Sequence, residues 1–269
     1  MEKKEQLLTS RENDLVKYCT KLKKSRSFRY SEKKFLLEGV RLCYDSFCNG
    51  YPIQTLFYTE EALRKSSAQI AQMQLGAESC FRVSQSVAEK LSDTPHSQGV
   101  FTLCPMKEIL RPLVQAPSGK LLVLDSLQDP GNMGTVFRTS EALGLDGLVL
   151  TSSCVDPFSP KVLRSTMGAF FTLPIFLAET GLEAVQILHK KQIRCYAALL
   201  DPDSVPLSQC DFSTPSAVFI GNEGNGLPPE TAAACDVKMI LPMKGRAESL
   251  NAAVCAAICI WEMTRMKTL

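Results

Sequence analysis

Three polar loops, each directly after an apolar run, carry the side chains with the clearest chemistry in this chain. They run from Asp125 to Arg138, from Phe219 to Glu230 and from Leu241 to Asn251. They offer amides, hydroxyls, glycine backbone, one glutamate among glycines and one arginine, but no histidine, paired acids or metal-ligand set. Chemistry in these loops therefore rests on hydrogen bonding and on backbone contacts.

The first loop, Asp125-Ser-Leu-Gln-Asp-Pro-Gly-Asn-Met-Gly-Thr-Val-Phe-Arg138, combines a turn with the start of a helix. Pro130 and Gly131 make the turn, and the helix begins near Asn132. Arg138 lies six residues further on. On an ideal helix it points about 120° away from Asn132, so the two need not serve one pocket of the same chain. Arginine is a natural ligand of phosphate, although this loop alone also fits a turn followed by a surface arginine.

The second loop, Phe219-Ile-Gly-Asn-Glu-Gly-Asn-Gly-Leu-Pro-Pro-Glu230, has three glycines in six positions after an apolar strand. This spacing predicts a tight loop whose backbone closely approaches a ligand. The loop lacks the G-x-G-x-x-G spacing and the Gly-Lys-Ser/Thr of a P-loop, so neither a dinucleotide nor a nucleoside triphosphate is indicated. We interpret Glu223 as a hydrogen-bond acceptor that holds neighbouring loops together.

The third loop provides apolar walls from Leu241, Met243 and Leu250, and neutral hydrogen-bonding groups from Ser249 and Asn251. Taken together, the three loops predict a pocket that holds an adenine-like cofactor by backbone contacts. Arg138 is then available for an RNA phosphate.

Composition excludes several classes of chemistry and of location. His96 and His189 are the only histidines and lie in no catalytic motif, which argues against a histidine-dependent triad. The eleven cysteines have no C-x-x-C spacing, so we expect no metal site. We interpret most cysteines as small buried hydrophobes in a reducing compartment, namely Cys154, Cys195, Cys255 and Cys259. Without a secretory signal or a membrane-spanning segment, we expect a cytoplasmic protein with no membrane partner.

A basic segment lies near the N-terminus. It contains one acid, Glu32, and eight cations, which are Lys17, Lys21, Lys23, Lys24, Arg26, Arg29, Lys33 and Lys34. Phe28, Tyr30 and Phe35 are interleaved with them. Cations that neutralise phosphates and rings that stack on bases are typical of RNA binding, and Lys23, Lys24, Arg26 and Arg29 are our candidate RNA ligands. A solvated helix and loop face accounts for the same residues equally well.

Strands and helices alternate along the chain. Residues 1–104 predict a small α/β domain, with an N-cap serine at Ser10 before a first helix, a loop from Lys23 to Tyr30, and one helix from Glu60 to Met73. Residues 105–119 contain proline but no clear period and are interpreted as a linker. Residues 120–269 alternate continuous apolar strands with helices, which predicts a mostly parallel sheet covered on both faces. The three polar loops follow strands of this sheet, where such sheets bind ligands.

The final helix is apolar on almost every face from Ala252 to Trp261. Surface helices are usually apolar along one stripe only. We therefore expect this helix to be threaded into the core or covered by a second subunit.

The three loops, in this order, resemble the signature motifs of the SpoU/TrmH family of RNA 2′-O-ribose methyltransferases in the SPOUT superfamily. The matching stretches are Gln128 to Arg138, Ile220 to Leu227 and Leu241 to Asn251, and Val155 to Ala169 resembles the family segment between the first two motifs. The resemblance is strong over residues 120–266. It is weaker for the N-terminal part, which is similar to the family's ribosomal-protein-like substrate-binding domain.

This resemblance implies an α/β fold whose C-terminal segment forms a trefoil knot. It implies S-adenosylmethionine as cofactor, held by Gly221, Leu241 and Leu250 with Leu199 and Met243. It also implies a homodimer that buries the last helix, with Arg138 reaching the partner subunit's site.

The implied reaction is in-line attack of a ribose 2′-hydroxyl on the sulfonium methyl. Arg138 would contact the RNA phosphate, either helping to remove the proton or acting only as an electrostatic clamp. Asn132, Ser249 and Asn251 would orient the ribose and the loops, and Glu223 would brace them. The expected substrate is ribosomal RNA. One alternative is a methyltransferase that acts on transfer RNA, and the other is an RNA-binding assembly factor that has lost catalysis.

Overall fold

The computed structural model describes residues 6–106, 109–246 and 249–265. Ala247 and Glu248 of the third motif, and the two chain ends included in the expected domains, lie outside the described residues. Contacts divide the chain into two compact units. The first comprises Met1–Lys107 with Asp156–Phe171, and the second comprises Glu108–Val155 with Thr172–Leu269.

The secondary structure follows the predicted alternation of strands and helices. The first part of the chain contains β1 (Gln6–Leu8), α1 (Asp14–Lys24), α2 (Arg26–Glu32), β2 (Lys34–Glu38), α3 (Val40–Cys48), β3 (Thr55–Tyr58), α4 (Glu60–Lys65), α5 (Ser67–Gly76), β4 (Ser79–Val83), α6 (Gln85–Leu91) and β5 (Val100–Pro105). The remainder contains β6 (Leu110–Pro112), β7 (Lys120–Leu124), α7 (Pro130–Ala142), β8 (Gly147–Thr151), α8 (Pro160–Thr166), β9 (Ile175–Ala178), α9 (Gly181–Lys190), β10 (Arg194–Ala198), β11 (Val205–Pro206), β12 (Ser216–Ile220), α10 (Pro229–Ala234), β13 (Val237–Ile240) and α11 (Ala252–Thr264).

The first unit is built on a five-stranded sheet, as far as the chain is described, in the order β1-β4-β3-β5-β2. Strand β5 is antiparallel to β2 and β3, whereas β4 is parallel to its neighbours β1 and β3. Helix α1 packs its apolar stripe, formed by Val16, Cys19 and Leu22, into the core of this unit. The amphipathic spacing of these residues makes the stripe continuous along one face of the helix.

Three local predictions in this unit were wrong. Helix α1 begins after Asn13, whose side chain accepts the N–H of Leu15, and not at Ser10. The segment predicted as a loop contains helix α2, because Ser25 caps a second helix by accepting the N–H of Phe28. The single helix predicted from Glu60 to Met73 is two helices, with a break at Ser66, where the backbone leaves the helical region.

Residues 156–171 pack with the first unit, although they fall within the domain predicted from residue 120 onward. Asp156 accepts hydrogen bonds from the guanidinium of Arg29, at 3.0 Å from Nε, and both side chains are buried. Phe158 lies against the ring of Phe35 with centroids 5.0 Å apart. Arg164 reaches the carboxylate of Asp93 at 2.9 Å. The segment thus completes the first unit with buried rings and ion pairs.

The second unit contains an all-parallel sheet in the order β11-β13-β10-β12-β7-β8-β9-β6, eight strands within the described residues. The expectation of a mostly parallel sheet is confirmed. Two of these strands were not predicted, because β6 and β11 are only two or three residues long. Strand β6 lies in the segment predicted as a linker and pairs with β9, so residues 110–112 are part of the sheet.

Helices cover both faces of this sheet. On one face, α9 and α10 bury alternate residues such as Leu121, Val123 and Phe219. The intervening residues, such as Leu122 and Val218, are also fully buried and point to the opposite face because side chains alternate along a strand. There α7 and α11 pack on each other and on the central strands. Near-continuous apolar strands are expected when both faces of a sheet are covered.

No helix among the described residues is long and apolar enough to cross a membrane. The cysteines are all free thiols. Cys154, Cys195 and Cys259 are buried as predicted, whereas Cys255 is only partly buried.

Candidate active site

A pocket of about 480 Å³ opens at the carboxyl edge of the parallel sheet. It is formed by the chain that follows β10, β12 and β13, together with the first turn of α11. All five residues predicted to bind a cofactor line it, as do Ser249 and Glu223; the five are Leu199, Gly221, Leu241, Met243 and Leu250. The tertiary structure therefore brings the second and third polar loops to one cavity.

The glycine-containing loop forms one wall of this pocket. It closes on itself through paired backbone hydrogen bonds of 2.9 Å between Asn222 and Gly226, one in each direction. A Cβ at Gly221 would collide with the backbone of Gly226 and Leu227, and Gly226 has a φ of +69°. Only glycine fits either position without moving the loop. The side chain of Asn222 accepts the N–H groups of Gly224 and Asn225, which fixes the tip.

Glu223 joins the second loop to the first. Its Oε2 accepts the backbone N–H of Gln128 at 3.0 Å, and its Oε1 accepts the N–H of Asp129 at 2.8 Å. The same Oε1 accepts a third hydrogen bond, from Nδ2 of Asn132 at 3.0 Å. These contacts are those of a bracing carboxylate, the role that the sequence suggested for Glu223.

Asn132 and Asn251 continue this connection to the third loop. Nδ2 of Asn251 donates to Oδ1 of Asn132 at 2.9 Å. Oδ1 of Asn251 in turn accepts the N–H groups of Ala253 and Val254, so Asn251 is the N-cap of α11. A chain of three side chains, Glu223, Asn132 and Asn251, therefore links all three motif loops. We call it the Glu-Asn-Asn chain.

The pKa of Glu223 lies below its ordinary value. Partial burial acts to raise this pKa, but the hydrogen bonds from Asn132 and from the N–H groups of Gln128 and Asp129 favour the carboxylate and outweigh it. Glu223 is therefore ionised at neutral pH, the state that can accept all three donors.

A second carboxylate at this edge was not singled out from the sequence. Asp125, directly after β7, is buried and accepts hydrogen bonds from the hydroxyls of Thr151 and Thr231, each at 3.2 Å. The next residue, Ser126, has a φ of +64° and donates its N–H to the Thr151 hydroxyl. Asp125 thereby fixes the start of the first loop against β8 and α10. The position after a strand was the only sequence signal for it, since its partners are distant in the chain.

Arg138 is exposed on α7 and does not line the pocket. Its side chain has no ion-pair or hydrogen-bond partner among the described residues. The structure thus places Asn132 within the Glu-Asn-Asn chain and leaves Arg138 on the surface of the same helix. This separation agrees with their predicted angular offset.

The four residues predicted to bind RNA have different environments in the first unit. Lys24 and Arg26 are exposed, and the guanidinium of Arg26 lies 5.7 Å from the ring centre of Tyr30. Lys23 is partly buried and donates to the backbone carbonyl oxygens of Lys90 and Ser92. Arg29 is only 5% exposed and is held by Asp156 and by the carbonyl of Leu22. The prediction of Arg29 as an RNA ligand was wrong, because its guanidinium is buried and paired with Asp156 inside the protein.

One cluster of possible metal ligands occurs in the described part of the chain, formed by His189, Cys195 and Asp236. It lies where β10 and β13 begin, at the edge of the sheet opposite the pocket. Asp236 accepts the backbone N–H of Cys195 at 2.7 Å and lies 3.1 Å from His189 Nε2. Burial raises the pKa of the Cys195 thiol, which disfavours the thiolate that binds metals. The contacts among these residues explain their proximity as a structural tie between strands.

The pocket has the size and lining that an adenosyl group requires. Ligand sites of this volume are mainly apolar, with a few polar groups that fix orientation. Of the lining residues that lie within the described part of the chain, Glu223 alone is charged; the others are apolar side chains, glycines and neutral polar groups. The backbone of Gly221 packs closely against that of Gly226 and Leu227 at the pocket wall. S-adenosylmethionine fits this set.

Comparison with known proteins agrees with this geometry. Residues 119–261 match the SpoU rRNA Methylase family, and residues 13–102 match the MRM3-like substrate binding domain. The chain is 30% identical over 257 residues to the 23S rRNA (guanosine(2553)-2′-O)-methyltransferase RlmP of Bacillus subtilis, with 95% of this chain and 98% of that protein covered.

Two solved structures are similar over nearly the whole chain. The AdoMet-bound rRNA methyltransferase from Sinorhizobium meliloti aligns with a TM-score of 0.85 and 29% identity, covering 98% of both chains. AviRb from Streptomyces viridochromogenes, in complex with AdoMet, aligns with a TM-score of 0.84 and 25% identity, covering 95% of this chain and 98% of that one.

The chain therefore belongs to the SpoU rRNA methylase family. It is an RNA 2′-O-ribose methyltransferase that uses S-adenosylmethionine. The predicted family, enzyme class and cofactor are confirmed.

Proposed function

We propose that the enzyme methylates a ribose 2′-hydroxyl of ribosomal RNA. The observation that carries this proposal is the Glu-Asn-Asn chain, which joins the three motif loops beside a cofactor-sized pocket. The match to a substrate-binding domain over residues 13–102 supports a large structured RNA as substrate. RlmP, similar over almost its full length, is named for a 23S rRNA guanosine.

Positioning is the main task of the chain's own residues. S-adenosylmethionine, when bound, supplies a methyl group on a sulfonium, which is a good electrophile. A ribose hydroxyl is a weak nucleophile, so holding it in line with the methyl provides much of the rate. We assign this orientation to Asn132, Ser249 and Asn251, with Glu223 as the brace behind them. The aliphatic walls at Leu199, Leu241, Met243 and Leu250, with the backbone at Gly221, hold the cofactor and exclude water.

Arg138 acts as an electrostatic clamp on an RNA phosphate in this proposal. A guanidinium remains protonated in proteins, so Arg138 by itself cannot accept a proton as a general base. Its exposed side chain, with no described partner in its own subunit, is available for an anion. The bound phosphate then sits next to the hydroxyl and is placed to take its proton.

We further propose that two copies pair through α11. Val254, Ile258 and Trp261 of α11 are 48%, 40% and 57% exposed in the single chain. Their spacing of three to four residues places them on one face of the helix. A contiguous apolar stripe of this kind is rarely left in water. A second copy of the same stripe provides a self-complementary cover. Because α7 packs on α11, this pairing would carry Arg138 toward the other subunit.

Three further assignments belong to this proposal. Lys24, which is exposed, and Arg26, which is exposed beside the aromatic ring of Tyr30, are proposed as phosphate ligands. The chain that forms the pocket after β12 and β13 and then enters α11 is proposed to be threaded as a trefoil knot. An RNA substrate and eleven free thiols support a cytoplasmic enzyme.

The proposal is tested by methyl transfer from labelled S-adenosylmethionine to total RNA from cells that lack this protein, followed by separation of the RNA by size. We expect label in one ribosomal RNA, within ribose. Label confined to transfer RNA would support the proposed methylation reaction but contradict ribosomal RNA as the substrate. No label with naked RNA but label with isolated ribosomal subunits would keep ribosomal RNA and identify the particle as substrate. Absence of both label and cofactor binding would contradict the proposal.

A further inference from the structure

The first unit has a polar cavity of about 560 Å³ that is separate from the cofactor pocket. It lies where β2, β3 and β4 end, since its lining includes Val40 after β2, Thr59 after β3 and Gln85 after β4. Ser97 and Gln98, just before the antiparallel strand β5, close the same edge. Strands β2, β3 and β4 run in one direction, and the carboxyl ends of such strands are the usual ligand-binding edge of an α/β sheet.

Three glutamines, Gln69, Gln85 and Gln98, line this cavity, and we call it the glutamine pocket. Each glutamine amide carries both donors and an acceptor. Hydroxyl groups of Thr59, Ser66 and Ser97 and the ring of Tyr44 complete the neutral lining. The pocket therefore offers many directional hydrogen bonds and one aromatic ring.

The charged groups of the glutamine pocket are already neutralised. Lys65 bonds to Glu61 at 2.6 Å, and the guanidinium of Arg41 lies 3.7 Å from the carboxylate of Asp45. A phosphate would compete with an acid for either cation. The lining thus favours a neutral ligand with hydrogen-bonding edges over an anion.

The amide of Gln98 has a defined orientation. Its Oε1 accepts the backbone N–H of Val40 at 2.9 Å, so Nε2 is the free end of the amide. The following residue, Gly99, has a φ of +69°, and a Cβ there would collide with Thr59. The loop is therefore held against β3 at this point. Gln69 and Gln85 have no side-chain hydrogen bond to any described part of the protein. All three amides remain able to bind a ligand.

We propose that the glutamine pocket binds an unpaired base of the RNA substrate, in addition to the nucleotide that is methylated. Proteins read RNA sequence mainly from splayed, single-stranded bases, by stacking on aromatic rings and by hydrogen bonds to base edges. Amide side chains match the donor and acceptor pattern of a base, and Tyr44 provides the stacking surface. This inference deepens the proposed function and depends on RNA being the substrate.

The test measures the affinity of the full chain for a short single-stranded RNA of mixed sequence and for the same strand annealed to its complement. The wild-type protein should prefer the single strand. A double variant, Gln69→Ala with Gln85→Ala, removes two amides that make no described bond within the protein, so the fold should be retained. We expect its affinity for the single strand to fall by about tenfold, the loss typical of a good base contact. Binding to the duplex should be unchanged.

Two controls distinguish a base pocket from a phosphate contact and from a general loss of RNA binding. Gln6→Ala changes an exposed glutamine of the same unit outside the pocket and should bind like the wild type. Binding repeated at several salt concentrations gives the number of phosphates neutralised. The double variant should keep the wild-type slope, whereas a shallower slope would identify a phosphate contact and overturn the base assignment.

Two further results would also overturn the proposal. One is an unchanged affinity of the double variant for single-stranded RNA, which would leave the pocket to a different class of ligand. The other is a wild-type protein with no preference for single strands. The readout is binding rather than methylation, so it stands apart from the labelling test of the proposed substrate. Label in ribosomal RNA together with unchanged binding of the double variant would support the proposed function but contradict the binding of an RNA base in the glutamine pocket.

Discussion

Glu223 accepts hydrogen bonds from residues 91 to 95 positions away in the chain, so a single carboxylate holds two loops of the active site in register. Each bond is charge-assisted, and such bonds are stronger than those between neutral groups. Asn132 transfers this fixation to Asn251, and thereby to the start of α11. Neutral side chains can orient a substrate only when their own positions are fixed in this way.

Replacing Glu223 with glutamine should lower the affinity for S-adenosylmethionine by roughly tenfold, because one acceptor oxygen becomes a donor facing backbone N–H groups. Isothermal titration with the cofactor measures the effect. Glu230→Gln is the matched control, since Glu230 is an exposed acid at the end of the same loop. Equal affinities of the two variants would contradict the bracing role.

The lowered pKa of Glu223 also sets a pH dependence. The native environment favours the carboxylate, so the brace is present above the ordinary value of 4.5 and is lost as the pH falls through the lowered pKa. Cofactor affinity of the wild type, relative to that of Glu223→Gln, should be constant near neutrality and should decline only below pH 4.5. A decline that begins near pH 6 to 7, where an unperturbed histidine titrates, would point to a different group.

Arg138→Ala should reduce methyl transfer by about 10²-fold or more while cofactor binding is unchanged, since loss of one preorganised electrostatic group typically has that effect. Steady-state kinetics with RNA and titration with S-adenosylmethionine give the two values. Arg138→Lys keeps the charge but not the planar donors, and should recover only part of the rate. Full activity of Arg138→Ala would exclude the clamp.

At the scale of elements, the end of α1 and the whole of α2 show how one basic segment divides into structural and exposed cations. Arg29 faces inward to Asp156, whereas Lys24 and Arg26 face solvent. Lys24 is the last residue of α1, Arg26 is the first residue of α2 and Arg29 lies one turn further along α2, so the packing of the two helices decides which charge is buried. Local composition could not indicate that orientation, since Asp156 is 127 positions further along the chain.

Variants of this segment should therefore separate RNA affinity from stability. Lys24→Ala should weaken RNA binding and reduce the salt slope by about one, as for the loss of one phosphate contact. Arg29→Met should leave a buried carboxylate unpaired and lower the free energy of unfolding by roughly 3–5 kcal/mol. Filter binding and urea denaturation measure the two effects. A stable Arg29→Met protein with a reduced salt slope would restore Arg29 as an RNA ligand.

At the scale of the whole molecule, the exposed stripe of α11 and the position of Arg138 both concern the proposed pairing with a second copy of the chain. If Arg138 serves the partner's pocket, a dimer with one pocket mutant and one Arg138 mutant contains one complete site. Gly221→Val provides the pocket mutant, because a side chain there collides with the loop backbone.

Mixing inactive Arg138→Ala with inactive Gly221→Val, after dissociation and reassociation, should restore about a quarter of the wild-type activity. Half of the dimers would be mixed, and each would have one complete site of two. Radiolabel transfer to RNA is the measurement. When both proteins of the mixture also carry Trp261→Glu, they should remain inactive and sediment as monomers. Glu262→Gln, a neighbouring change outside the stripe, should not prevent the restoration of activity. No restoration in a mixture shown to contain mixed dimers would place Arg138 in its own subunit's site.

Linear patterns in the chain were enough to predict the parallel sheet and the three loops, and the family resemblance indicated the residues that line the pocket. Continuous apolar strands require a sheet covered on both faces, and polar residues after such strands meet at one edge. Glycine spacing likewise requires a close backbone approach. These are local or periodic properties, and a linear pattern contains them.

The choice of partners among distant groups depended on the folded chain. Folding buried Arg29 against Asp156, connected Glu223 to Asn132 and Asn251, and fixed Asp125 against Thr151 and Thr231. It also assigned residues 156–171 to the first unit and formed the glutamine pocket from four separate stretches of chain. These pairings are absent from any linear pattern because hydrogen bonds and ion pairs act over a few ångströms in space, whatever the separation along the chain.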